Sequence, residues 1–147
     1  MQRRYPDMPI LAVGAIVVKS GRVLLARRGN EPSYGLWSVP GGAVRLGEGL
    51  KAAAAREIRE ECSIEIELTD VIEVIERSHR DGDGRIQYHY VIVDYLARWV
   101  AGDIQPSDEV LEARWVAPEE FPGYQMTPGT ADVINRMLAA GRRAGVL

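Results

Sequence analysis

Residues 56–64 read REIREECSI and place three carboxylates, Glu57, Glu60 and Glu61, in one short segment. The good helix formers before and within this segment predict a helix over about residues 48–62. Each residue of such a helix advances about 100° around the axis, so the three carboxylates share one arc. Glu57 and Glu61 then repel each other as i,i+4 neighbours, at a cost of about a few tenths of a kcal/mol. Something must offset this repulsion, or the acidic face is simply well solvated.

The composition of the chain narrows the class of protein. With 147 residues, 46% of them hydrophobic and 27% charged, it has the make-up of an ordinary globular domain. The net charge is −3, and the sequence has no stripe of basic residues. Both observations argue against binding of nucleic acid or an anionic membrane. The apolar run at residues 10–18 is too short to span a bilayer. The one cysteine, Cys62, excludes an internal disulfide and fits a reducing environment, so we expect a cytoplasmic protein.

Apolar, β-branched segments separated by turn signals predict the strands. The first two strands and the two longest ones are each joined by a short turn, so each pair should form a hairpin. A Pro-Gly-Gly sequence ends a shorter apolar stretch. The predicted strands cover residues 10–18, 22–27, 64–78, 85–99 and 110–117, and the shorter stretch covers residues 36–39.

A second helix is predicted near the C-terminus. Thr127 resembles an N-cap and Pro128 a first helical residue, and Gly141 would end the helix after about Ala140. The chain contains no internal repeat, low-complexity tract or linker. We therefore expect residues 1–147 to form a single α/β domain with a mixed sheet.

The loop before the acidic helix favours a ligand site over a merely solvated face. Gly41 and Gly42 allow the backbone to approach a ligand closely, and Glu48 adds a fourth carboxylate nearby. Hard cations such as Mg²⁺ prefer carboxylate oxygens and share their coordination with substrate phosphates. The segment is therefore a candidate site for a divalent cation.

The spacing of Gly42, Glu48 and residues 56–64 closely resembles the sequence box of the Nudix hydrolases, Gly-x5-Glu-x7-Arg-Glu-apolar-x-Glu-Glu-x-Gly-apolar. Eight of its nine specified positions match. The exception is Ser63, which stands where the family usually has glycine. A left-handed helix end there would cost serine on the order of 1 kcal/mol. The resemblance implies a Nudix-type α/β/α sandwich with a mixed β-sheet.

The resemblance also implies an activity and a set of site residues. Nudix enzymes hydrolyse the pyrophosphate bond of a nucleoside diphosphate linked to another moiety, using Mg²⁺, for which Mn²⁺ can substitute. Carried over by position, Glu57, Glu60 and Glu61 would bind the metal together with the Gly41 carbonyl. Arg56 would orient Glu57 and Glu60, since it is adjacent to one and i,i+4 to the other.

The general base is left open. Glu57 is one candidate, and Glu109 is the other, because several family members carry a loop carboxylate near the corresponding position. Glu112 is a weaker candidate of the same kind. A polar loop and a strand edge are the alternative explanations for Glu109 and Glu112.

Three further residues are candidate substrate contacts. Arg28 matches a position where family members often hold phosphate, and the fork of its guanidinium suits that role. Gly42 would admit the substrate close to the backbone, and Trp37 could stack on a base. The alternatives are a solvated side chain for Arg28 and core packing for Trp37.

The substrate is the least determined part of the interpretation. The chain looks most like small members described as ADP-ribose pyrophosphatase-like, so ADP-ribose is the first expectation. A nucleoside triphosphate pyrophosphohydrolase acting on oxidised or non-standard nucleotides is the alternative. A non-catalytic nucleotide-sensing domain is more remote, because no box glutamate is missing. We expect a small-molecule nucleotide as partner, no nucleic acid and no membrane, and the sequence leaves a homodimer open.

Overall fold

A computed structural model describes residues 2–147. The predicted strands agree with those of the structure to within two residues at each end. No helix in the described part of the chain is long and apolar enough to cross a lipid bilayer. In chain order the elements are β1 (Ile10–Lys19), β2 (Arg22–Arg28), β3 (Trp37–Ser38), β4 (Gly41–Ala43), α1 (Leu50–Cys62), β5 (Glu65–Arg80), β6 (Ile86–Ala101), β7 (Val110–Val116) and α2 (Thr130–Arg143), with a 3₁₀ helix at Pro118–Gly123.

Strand β1 lies at the centre of the sheet. One edge pairs in parallel with β6 from Ile10 to Val18, whereas the other edge is shared between two antiparallel partners. Strand β2 pairs with β1 only next to the turn, at Val18 and Lys19, and β4 pairs with it around Val13. The hairpins β1–β2 and β5–β6 are both confirmed. One parallel pair among antiparallel ones makes the sheet mixed, as predicted.

Both faces of the sheet are covered, which explains why β1 is apolar at consecutive positions instead of alternating. Ala15 and Val17 pack on one face against Ile58 of α1. Ile16 packs on the opposite face against Ile134 of α2. The two helices therefore enclose the sheet in the α/β/α sandwich that the sequence box implied.

The predicted ends of α2 were wrong. The helix begins at Thr130, behind Gly129 with φ 77°, and Thr127 lies outside it with its hydroxyl against that of Thr130. The helix also continues past Gly141. This residue is glycine because of packing, since a Cβ there would lie 2.3 Å from Leu96 Cδ2. Gly141 is a close-contact residue inside the helix, and its role could be recognised only from the partner that it packs against.

Ser63 ends α1 in the left-handed conformation that the sequence box indicated. Its φ is 65° and its ψ is 26°, and its N–H donates a hydrogen bond to the Arg59 carbonyl. The Ser63 hydroxyl donates to the Gln105 carbonyl at 3.1 Å. This exposed hydrogen bond partly offsets the backbone strain of a non-glycine residue at this position.

We predict that Ser63→Gly raises the melting temperature and Ser63→Ala lowers it. Glycine removes a left-handed strain of about 1 kcal/mol, which outweighs about 0.5 kcal/mol for the lost exposed hydroxyl contact. Alanine keeps the strain and loses the contact. Thermal unfolding followed by circular dichroism should rank the three proteins glycine, serine, alanine, and an alanine variant as stable as the wild type would contradict this account.

Candidate active site

Arg56 organises the outer part of the acidic helix face. Its Nε and Nη2 atoms donate to Glu48 at 2.7 and 2.9 Å, and Nη1 donates to Glu57 at 2.8 Å and to Glu60 at 3.1 Å. Nη2 also donates to the Ala43 carbonyl at 3.2 Å. The Arg56 guanidinium holds the pKa of Glu48 down at about 2. With these donors committed to protein oxygens, Arg56 positions carboxylates, including the two that the resemblance indicated.

The three box glutamates have different surroundings. The Glu57 side chain is 12% exposed and faces β4, whereas Glu60 is 49% exposed and also pairs with Arg45. Glu61 lines a cavity at the end of α1, which neither of the other two does. The repulsion among these glutamates is therefore compensated only in part, because Arg45 and Arg56 contact Glu57 and Glu60 but not Glu61.

Two glycines allow β4 to lie directly between β1 and α1. A Cβ on Gly41 would stand 2.0 Å from the Val13 carbonyl oxygen, and one on Gly42 would stand 2.5 Å from the Glu57 carboxyl carbon. A backbone hydrogen bond from Gly41 reaches Glu61. Strand β4 thus packs against Glu57 and holds Glu61 at the cavity.

Glu109 reaches the same place from a distant part of the sequence. The N–H of Ser107 donates to the Glu61 carbonyl at 2.9 Å, which attaches the loop before β7 to the end of α1. The N–H of Gly29 donates to the Glu109 carbonyl at 3.2 Å, which attaches the loop to the end of β2. Glu109 and Glu61 both line the cavity as a result.

Burial, and next the charge of Glu57, raise the pKa of Glu61 to about 8. Glu109 acts in the same direction, while the Gly41 hydrogen bond and the Arg28 guanidinium lower this pKa. A buried carboxyl crowded by like charges is a group that a cation would stabilise. The donor set is made of carboxylate oxygens, which fit a hard cation such as Mg²⁺.

The carboxylates of the site do not converge on one cation position in this structure. Within residues 2–147, no three His, Cys, Asp or Glu side chains lie together in an arrangement that could hold a metal ion. Glu57 and Glu60 are hydrogen-bonded to Arg56 instead. A cation at this site would therefore compete with Arg56 for these carboxylates.

The cavity beside Glu61 has a volume of about 530 Å³, within the usual size of small-molecule sites. It contains five of the residues that the sequence analysis singled out and extends across the sheet edge to the α2 side. The five are Arg28, Gly41, Gly42, Glu61 and Glu109, and the lining on the α2 side includes Val39, Ile75, Ile92, Asp94, Thr130 and Val133.

Two candidates, Trp37 and Glu112, lie away from both this cavity and the acidic face of α1. Trp37 is only 8% exposed and its ring packs edge-on against Tyr124 with centroids 5.1 Å apart, so core packing accounts for it and we do not retain it as a substrate contact. Glu112 pairs with Arg27 and Arg114 on the strand surface.

Asp94 is a buried acidic residue of the cavity that the sequence analysis missed. It lies in β6 and is 5% exposed, and burial raises its pKa to about 6. The available signal was a single acidic residue within the apolar strand segment YVIVDYLA. Strand periodicity did not reveal that this position opens into a cavity.

Comparisons with known proteins agree with this architecture. A family model described as NUDIX domain matches residues 8–137. An ADP-ribose pyrophosphatase of Methanocaldococcus jannaschii is 29% identical over 78% of this chain, and the match spans 65% of that protein's length. A CTP pyrophosphohydrolase of Escherichia coli K12 is 31% identical over 88% of this chain and 92% of its own. The crystal structure of a MutT NUDIX hydrolase from Burkholderia pseudomallei has a TM-score of 0.70 and 30% identity, covering 88% of this chain and 98% of that one.

We predict that Glu61→Gln stabilises the cation-free protein at neutral pH. The pKa of Glu61 is about 8 in the folded protein against an ordinary 4.5. Between these values the native state binds more protons than the unfolded state, so stability falls as pH rises. Glutamine stays neutral in both states and should gain on the order of 3 kcal/mol near pH 7.5, and much less near pH 5. Urea unfolding in EDTA at the two pH values measures the difference.

Glu60→Gln is the matched control, because Glu60 is 49% exposed and pairs with arginines. Its substitution should leave the pH dependence of stability close to that of the wild type. If the gain in free energy of unfolding from Glu61→Gln does not increase with pH, the Glu61 carboxyl ionises normally in the folded protein.

Proposed function

The chain belongs to the NUDIX family, and from that premise we propose that it is a divalent-cation-dependent hydrolase of the pyrophosphate bond in a nucleoside diphosphate linked to another moiety. The observation that carries the proposal is the environment of Glu61. Its half-buried carboxyl lines a cavity of ligand size, with Glu57, Glu109 and Arg28 near enough to shift its pKa. Negative side chains crowded at one end of a cavity favour binding of a cation and, through it, of phosphates.

The proposed cation ligands are Glu57, Glu60 and Glu61 with the Gly41 carbonyl, and the proposed cation is Mg²⁺, with Mn²⁺ as a substitute. When bound, a divalent cation screens the negative charge of the diphosphate and makes the attacking water more acidic. Arg56 keeps Glu57 and Glu60 in place through its hydrogen bonds of 2.8 and 3.1 Å.

The remaining steps fall to side chains at the cavity. Arg28 would bind a phosphate, and its Nε is anchored on the Pro32 carbonyl at 2.8 Å. A water molecule attacks one phosphorus, its proton passes to a carboxylate base, and the bond from that phosphorus to the bridging oxygen breaks. The products are a nucleoside monophosphate and the phosphorylated second moiety. Glu109 and Glu57 are the two candidate bases.

ADP-ribose is the proposed substrate, on the strength of the relative named as an ADP-ribose pyrophosphatase. A nucleoside triphosphate is the second candidate, including oxidised or non-standard nucleotides. One observation favours it specifically: the match to the CTP pyrophosphohydrolase spans 92% of that protein, against 65% for the ADP-ribose pyrophosphatase.

We also propose that the enzyme works in the cytoplasm on free nucleotides. The net charge of −3 does not favour a polyanionic partner such as nucleic acid. The one thiol, Cys62, is buried in the core, and burial raises its pKa to about 12, so it is kept unreactive.

We predict that activity is lost in excess EDTA and restored by Mg²⁺ or Mn²⁺, because the carboxylates of the site need a cation to bring phosphates close. Release of nucleoside monophosphate from ADP-ribose, CTP and an oxidised nucleoside triphosphate then ranks the substrates. ADP-ribose should exceed the triphosphates in kcat/KM by about tenfold. Undiminished turnover in EDTA would sink the cation assignment, and a tenfold preference for a triphosphate would select the second candidate.

The two candidate bases make separable predictions. Glu109 lies on a loop, so Glu109→Gln should lower kcat by about a hundredfold while leaving the half-saturating Mg²⁺ concentration nearly unchanged. Glu57 lies on α1 against β4, so Glu57→Gln should raise that concentration instead. Steady-state rates over a Mg²⁺ titration give both quantities.

Glu112→Gln is the control for the Glu109 variant, because Glu112 pairs with Arg27 and Arg114 outside the cavity. It should behave like the wild type. If Glu109→Gln also behaves like the wild type in both quantities, Glu109 has no part in proton transfer and Glu57 becomes the base.

A further inference from the structure

Asp94 is a carboxylate placed inside an apolar layer. It lies in β6 opposite Gly14 of β1, on the same side of the sheet as the buried Leu96. A Cβ on Gly14 would stand 2.2 Å from Asp94 Oδ1, so the glycine makes room for the carboxylate. The residue is 5% exposed and lines the same cavity as Glu61.

The Asp94 carboxylate has no hydrogen-bond donor of its own within the described chain. Burial, the charge of Arg77 and the charge of Glu73 determine its pKa, and no hydrogen bond contributes. No side-chain nitrogen or oxygen among residues 2–147 is both sealed from solvent and without a partner, so the carboxylate must reach the cavity space. Buried polar groups are nearly always paired, and an acceptor left open towards a cavity is suited to a ligand.

The surroundings of Asp94 suit a flat, mostly apolar group. Val39, Ile75, Ile92 and Val133 line the cavity on this side, together with the hydroxyl residues Ser38 and Thr130 and the side chain of Arg77. Arg77 donates a hydrogen bond to the Pro128 carbonyl and acts on Asp94 through its charge without a hydrogen bond. Val133 belongs to the buried core beneath α2. The cavity therefore combines a charged region for phosphates with a mainly apolar region in which Asp94 is a carboxylate without a hydrogen-bond donor.

We propose that Asp94 accepts a hydrogen bond from the exocyclic amino group of the substrate's base and thereby selects amino-bearing bases over their deaminated counterparts. The inference rests on the proposed function in that the ligand is a nucleotide. Replacing the amino group by a carbonyl oxygen sets an acceptor against the Asp94 carboxylate at this position and moves the donor to the adjacent ring nitrogen, so the base cannot keep the same pose without leaving two acceptors facing each other. Adenine should thus be preferred to hypoxanthine, and cytosine to uracil.

The test compares matched nucleoside monophosphates that differ in this group and in the proton on the adjacent ring nitrogen. Calorimetric titration of EDTA-treated protein with AMP and IMP, and with CMP and UMP, measures binding without turnover. The wild type should bind the amino member of each pair at least about tenfold more tightly. Asp94→Ala should abolish the preference, and Asp94→Asn should weaken or reverse it, because a side-chain amide can donate to a carbonyl.

Glu73→Gln is the control, because Glu73 is a neighbouring carboxylate that pairs with Arg136 and does not line the cavity. It should keep the wild-type preference. Thermal unfolding of each variant establishes that it is folded, and Asp94→Asn is nearly the same size as the wild-type residue, so it should fold.

The outcomes separate the role of Asp94 from the proposed activity. Equal affinity for AMP and IMP in the wild type, or an undiminished preference in folded Asp94→Asn, overturns the role of Asp94 whether or not the enzyme turns over. An amino preference that depends on Asp94 supports the inference even if no diphosphate substrate is hydrolysed, in which case only the hydrolytic proposal fails. A wild type that binds none of the four nucleotides overturns the inference as well.

Discussion

The rest of the site depends on the close approach of β4 to β1 and α1. Strand β2 pairs with β1 only next to the turn, at Val18 and Lys19. The earlier part of the same β1 edge is therefore open to β4, which pairs with Ala12 to Gly14. Only glycines fit there, because a Cβ on Gly41 would meet the Val13 carbonyl and one on Gly42 the Glu57 carboxyl. Close backbone contact brings the acidic face of α1 to the rim of the cavity. Gly41 and Gly42 are therefore required for packing, whether or not they also contact a ligand.

The charges of the site are balanced unevenly. Arg56 satisfies Glu48, Glu57 and Glu60, while Glu61 is left with a raised pKa that burial and neighbouring carboxylates cause. Such an arrangement destabilises the folded protein near neutral pH, because the unfolded chain ionises this carboxyl freely. Folded proteins retain conflicts of this kind mainly at functional sites. The imbalance marks the place where a positive ligand would be most stabilising.

The same cavity contains a second unusual carboxylate in a different setting. Glu61 is crowded by other carboxylates, whereas Asp94 is surrounded mainly by apolar residues and faces the α2 side of the sheet. Burial raises the pKa of both groups, and the charges of Glu57 and Glu109 raise that of Glu61 further, as the charge of Glu73 does for Asp94. The two carboxylates thus divide the cavity into a region suited to cations and phosphates and a region suited to a base.

The sequence by itself determined the longer strands, the acidic helix and the family-like box, because these depend on local patterns, but it did not show that the Pro-Gly-Gly break continues as β4 at Gly41–Ala43. Apolar periodicity and turn residues located the strands, and the spacing of residues 42–64 located the acidic helix and the left-handed end at Ser63. Only the tertiary structure decided which residues far apart in the sequence lie together. It places Glu109 beside Glu61, Trp37 in the core, and Asp94 at the cavity. Pairing of distant strands sets these contacts, and the identity of a partner on another strand is not encoded in the periodicity of either one.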